Sequence, residues 1–143
     1  MSLMVALNAA DSLRCAPGYL SYFTVFIRPD QTWRYLGDSS LDWGQSLIAL
    51  HQYQQNHPGE VLHLASWGNS VSPELYGIRA VPFGERDRPS GTVVVSAGSL
   101  TGQFNRNPQA YRWVLRYPRK ALLNHTFYVF DVPSLPKGEG AQH

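Results

Sequence analysis

The run Thr92-Val93-Val94-Val95-Ser96-Ala97 constrains this chain more than any other segment. Consecutive β-branched residues lose side-chain freedom in a helix and fit the pleated surface of a strand, and glycines at 91 and 98 bracket the run. An apolar strand without polar alternation needs cover on both faces, the environment of a parallel sheet enclosed by helices. Residues 61–65 repeat the pattern, with Val61, Leu62, Leu64 and Ala65 broken only by His63.

Helical signals fall between these strands. Asp42 and Gln45 have the spacing of a capping box, Leu47, Leu50 and Tyr53 supply a buried face, and Pro58-Gly59 forces a stop after Asn56. Ser72-Pro73 opens a single turn that Gly77 closes. Residues 82–91 hold two prolines and two glycines among four charges and read as an exposed loop. Asn107-Pro108 starts a late helix to about Tyr117, with Tyr111, Val114 and Leu115 on one side and Pro118 as its end. Residues 33–36 make a short candidate strand, and residues 126–132 a last one, near an edge because Asp131 needs water or a partner. The succession implies an α/β fold, a two- or three-layer sandwich on a mostly parallel central sheet of about four to five strands. Residues 31–133 form this single domain, residues 1–30 an aromatic segment and tail, and residues 134–143 a flexible tail.

Composition removes several function classes. The net charge is +2, and the ten arginines are scattered with no run; a nucleic-acid partner is not expected, since such binders concentrate basic charge on one face. Apolar stretches fall far short of the roughly 20 residues that cross a bilayer. One cysteine, Cys15, excludes an internal disulfide. The five histidines show no metal-ligand spacing, so neither a metal nor another cofactor is expected.

If the strands at 33–36, 61–65 and 92–97 are parallel neighbours, their carboxyl ends gather polar residues in the crevice where open α/β sheets bind ligands. Asp38, Ser39 and Asp42 follow the first, Ser66, Trp67 and Asn69 the second, and Ser99 the third. Paired carboxylates, hydroxyl and amide donors and a flat indole suit a polar ring such as a sugar. Asp42 as a cap and Asp38 as a turn former explain the same residues without a ligand. Gly98 and Gly102, around Ser99 and Thr101, offer a weak backbone cradle for phosphate. Asn124-His125-Thr126 matches a glycosylation triplet that recurs by chance.

A longer pattern joins these segments. Pro17-Gly18-Tyr19-Leu20-Ser21-Tyr22-Phe23, followed by Leu36-Gly37-Asp38-Ser39-Ser40-Leu41-Asp42-Trp43-Gly44-Gln45-Ser46-Leu47, resembles the soluble C-terminal region of bacterial membrane glycosyltransferases that use polyprenyl- or dolichyl-phosphate sugars, the protein mannosyltransferase-like superfamily. Pro73-Glu74-Leu75-Tyr76-Gly77-Ile78, Val95-Ser96-Ala97 and Tyr111-Arg112-Trp113-Val114-Leu115 resemble later elements of that region. Ser40 and Ser46 stand where the family commonly has asparagine and aspartate. The resemblance implies an accessory extracytoplasmic domain that is not catalytic alone. Its partners would be the remainder of a polytopic membrane protein and a glycan or sugar-phosphate lipid. The strand-end reading and the resemblance together give Asp38, Ser39, Asp42, Trp43, Gln45, Trp67, Asn69 and Ser99 as the candidate ligand-binding residues. An independent carbohydrate- or nucleotide-sugar-binding protein and a protein-interaction domain are the alternatives.

Overall fold

A computed structural model describes Trp33 and residues 45–66, 72–103 and 105–134, without the side chain of Gln45. The element order is α1 (Gln45–Asn56), β1 (Leu62–Ala65), a 3-10 helix (Pro73–Tyr76), β2 (Ala80–Pro82), β3 (Gly91–Ser96), α2 (Ala97–Thr101), a second 3-10 helix (Arg112–Arg116), β4 (Arg119–Leu123) and β5 (Phe127–Val132). The strands form one sheet in the order β2-β1-β3-β5-β4. β1 lies parallel to β2 and β3, and β5 lies antiparallel to β3 and β4. Among the described residues four strands therefore point one way and β5 opposes them, which makes the sheet mixed.

The valine run explains the layers. Successive strand residues face opposite sides, so Val94 packs with Leu62, Leu64, Phe127 and Val129 beneath Leu47, Leu50 and Tyr53 of α1. Val93 and Val95 pack on the other side with Tyr128, Phe130 and Val132, covered by Trp33, Leu100, Tyr111, Trp113 and Val114. Both faces are apolar because both are covered, and each large side chain so buried contributes about 1.5–3 kcal/mol. The short link from α1 to β1, turned by hydrogen bonds from the His57 N–H to Gln54 O and from the Glu60 N–H to His57 O, reverses the chain. The helix thus begins at the end of the sheet where β1 and β3 finish.

Several expectations need correction. The late helix is not α-helical: Ala110, Arg112, Val114 and Tyr117 donate their N–H groups to Asn107, Gln109, Tyr111 and Val114, a chain of i to i−3 bonds that ends in the second 3-10 helix. Asn107 still caps its start, with Oδ1 accepting from the Gln109 N–H at 2.9 Å, but Leu115 is exposed and Trp113 takes its place in the core. β5 is internal, because β4 pairs along its outer side. Asp131 reaches water from the end of that internal strand, in register with Thr92. Trp33 stands in a 3-10 turn rather than a strand, and residues 34–36 lie outside the described residues.

Ala97 begins a helix rather than ending a strand. Ser96 caps α2 by accepting the Ser99 N–H, and Gly102 ends it in the left-handed conformation at φ 76°. Arg112 completes the far end, donating from Nε to Leu100 O and from Nη2 to Thr101 O, each at 3.2 Å, while its guanidinium lies 5.3 Å from the Trp33 ring centroid. Arg112 is therefore part of the packing.

Candidate functional site at the strand ends

The edge where β1, β2, β3 and β4 finish is where ligand chemistry was expected. Of the residues named for it, Asp38, Ser39, Asp42, Trp43, Trp67 and Asn69 lie outside the described residues, as does the Gln45 side chain. Ser99 is described and faces inward, 2% exposed. Its hydroxyl accepts from Ser96 Oγ at 3.0 Å and donates to Ala65 O at 3.4 Å, and its carbonyl accepts from Asn105 Nδ2 at 2.8 Å. These bonds tie the end of β3 to the end of β1 and to the loop beyond α2. In this arrangement Ser96 and Ser99 hold the edge together, and the Gly98 to Gly102 segment is helix rather than an open cradle.

A small crevice nevertheless opens between the ends of β1 and β2. Its volume is about 220 Å³, and its lining includes Ser66, Ser72 and Glu74. That is below the roughly 300 Å³ of common small-molecule pockets, enough for one small polar group. The Ser72 hydroxyl hydrogen-bonds the Glu74 carboxylate, and this bond holds Glu74 below the usual carboxylate range. Pro73 at the first helical position and Gly77 in the left-handed conformation at φ 71° fix the turn that carries Glu74. The arrangement presents an ionised acceptor and hydroxyl groups, a set that hydrogen-bonds a neutral polyol.

His125 is the residue that sequence reasoning passed over. It sits with Asn124 in the turn between β4 and β5, both at positive φ, 45° for Asn124 and 58° for His125. The Thr126 N–H donates to Leu123 O at 2.9 Å and closes the turn, and Thr126 O accepts from the Ala97 N–H at 2.7 Å, which joins the turn to the start of α2. His125 Nδ1 is buried without a hydrogen-bond partner, and burial lowers the imidazole pKa. The neutral form that burial favours carries one ring donor and one ring acceptor. The available signal was the position itself: a hairpin turn with two left-handed residues favours Asn-Gly, and here histidine replaces the glycine.

The opposite end of the sheet is charged but tied up. Glu60 pairs with Lys120 at 2.5 Å and accepts from Thr92 Oγ1 at 2.8 Å. Lys120 holds Glu60 below its ordinary value, and Glu60 in turn raises Lys120. Tyr53 is buried beside them, its phenol pushed up by burial and then by Glu60, and it stacks on His57 at 4.1 Å between ring centroids. This cluster joins α1, β1, β3 and β4, a structural role. Among the described residues no three His, Cys, Asp or Glu side chains are grouped to hold a metal ion. No protein-family model, no curated protein and no solved structure matches the chain.

Proposed function

We propose that the chain is an accessory extracytoplasmic domain of a glycosyltransferase-like membrane protein. In this reading it does not catalyse transfer by itself and assists binding of the acceptor or sugar. One observation carries the reading. The stretch from Asp38 to Gln45, which holds the most specific part of the family resemblance, ends at the first residue of α1, and α1 begins at the strand-end edge. Leu47 and Leu50, two and five residues further on, are fully buried against the sheet. A sequence motif that leads directly into so firmly packed a helix suits contact with a ligand held by another part of the protein. The expected partners are the remainder of a polytopic membrane protein and a glycan or sugar-phosphate lipid.

The test is the reading frame upstream of these codons in the transcript. A continuous frame encoding membrane-spanning segments, and loss of glycosyl transfer by that protein when Asp38 and Trp43 are replaced by alanine, supports the proposal. A stop codon directly upstream with translation starting at Met1 or Met4 refutes it.

The crevice lined by Ser66, Ser72 and Glu74 supports a second reading, an independent carbohydrate-binding protein. A sugar that raises the melting temperature of the isolated chain, and no longer does so in Glu74→Gln, favours this reading, because a ligand that prefers the folded state stabilises it.

A further inference from the structure

We propose that residues 84–88, Arg106 and Asn107 form a binding site for a phosphate-bearing anion. They surround a cavity of about 880 Å³ on the flank of the sheet that carries Tyr111 and Trp113, and Arg86, Arg88 and Arg106 all line it. Glu85 and Asp87 line it too, and five such neighbours would ordinarily form ion pairs with one another. None of them does: among the described residues the one ion pair is Lys120 with Glu60, elsewhere in the molecule, and the five charges leave one positive charge over.

The carboxylates are engaged by the backbone instead. Glu85 accepts the Arg106 N–H at 2.8 Å on one oxygen and the Asn107 N–H at 3.1 Å on the other. Asp87 accepts the Gly84 N–H at 2.7 Å. Both acids therefore shape the two loops, and Glu85 clamps one loop to the other. Arg88 is held in place as well, donating through Nη1 to Glu85 O and Asp87 O at 2.8 and 2.7 Å, with its guanidinium 5.2 Å from the Trp113 ring centroid. The side chains of Arg86 and Arg106 are exposed and have no acceptor among the described residues.

Guanidinium groups are planar forks that bind phosphate through paired, charge-assisted hydrogen bonds. Three of them around one cavity, one already fixed and two with donors available, suit an anion whose oxygens point in several directions. Phosphate fits this better than a flat carboxylate, and the volume lies within the range of small-molecule sites. The anion can belong to a soluble phosphate ester or to a lipid headgroup. The site does not depend on membership of a membrane protein.

The experiment titrates the whole chain with inorganic pyrophosphate by calorimetry at low ionic strength. It is repeated on Arg86→Gln/Arg106→Gln and on Arg119→Gln, an exposed arginine of β4 outside the cavity. Circular dichroism checks that each variant is folded. The expected result is saturable binding that weakens about tenfold or more in the double variant and is unchanged in Arg119→Gln. Saturable binding absent, or equal losses in both variants, overturns the site. Co-sedimentation with phosphatidylglycerol but not phosphatidylcholine vesicles, competed by pyrophosphate, assigns the anion to a lipid headgroup. Saturable pyrophosphate binding without vesicle association assigns it to a soluble ester.

Discussion

Replacing Gly102 by alanine tests the description of the loop beyond α2. Gly102 has φ 76°, and a Cβ built there would stand 2.1 Å from Pro108 O, 2.6 Å from Pro108 Cα and 2.7 Å from Pro108 C. Two costs follow. The left-handed conformation costs an L-residue about 1–2 kcal/mol. The contact is with backbone, so no rotamer change relieves it. The segment that starts at Pro108 must move away from α2, and it carries Ala110, Tyr111, Trp113 and Val114, all buried. A forced shift of a packed segment costs a further ~1–3 kcal/mol. The sum is about 2–5 kcal/mol, which for a domain of this size lowers the melting temperature by roughly 6–15 °C. Urea denaturation followed by tryptophan fluorescence measures it, with the midpoint falling while the slope stays constant. A loss below about 1 kcal/mol, smaller than the conformational cost alone, refutes the geometry around Gly102 and Pro108. The same substitution displaces Arg106 and Asn107 from Glu85, so pyrophosphate binding should weaken with it.

Other expected outcomes follow from single contacts. His125→Gly should stabilise the chain by ~0.5–1 kcal/mol, since it relieves a positive φ at a hairpin turn; a destabilised variant in thermal melts would count against the strained turn. Burial lowers the His125 pKa, so the unfolded chain takes up the proton first as pH falls. Stability should therefore decline as pH drops below about 6.5, the ordinary histidine value, and His125→Gly should lose that part of the decline; identical pH profiles for the two proteins would remove the argument. Glu60→Gln should cost about 0.5–1 kcal/mol at pH 7, as expected for a half-exposed pair with one further hydrogen bond. Because Lys120 lowers the Glu60 pKa, the difference should persist above the ordinary glutamate value and vanish as pH falls through the folded one, which denaturation at several pH values reads directly. Ser96→Ala removes the cap of α2 and should cost about 1 kcal/mol, measured by the same denaturation.

The buried elements were legible in the sequence because their patterns leave one solution. The valine run and residues 61–65 became β3 and β1 in parallel register, Leu47, Leu50 and Tyr53 became the inner face of α1, and Ser72 to Gly77 became one capped turn. β2 was not legible, because three residues ending in proline carry almost no strand signal. β4 begins with Arg119 and Lys120 and lies half-exposed at the edge, and without it β5 looked like the outer strand. The late helix failed because Tyr111 and Val114, three apart, satisfy a 3-10 period as well as an α-helical one. The candidate site was legible as an edge but not as contacts. Ser99 has a polar side chain whether it meets a ligand or, as here, the end of β1. The cavity lined by arginines was invisible because Arg86 and Arg106 lie twenty residues apart, and the Glu85 clamp that joins their loops has no motif.

The position of β5 also sets an order of assembly. It joins β3 to β4, and among the described residues β4 has no other neighbour in the sheet, yet β5 is the last of the described elements to be synthesised. A nascent chain that stops short of Phe127 leaves the inner edge of β3 unpaired, with an open row of backbone donors and acceptors that invites association with other chains. The sheet can consequently close only late in synthesis, when residues 127–132 insert between strands already made.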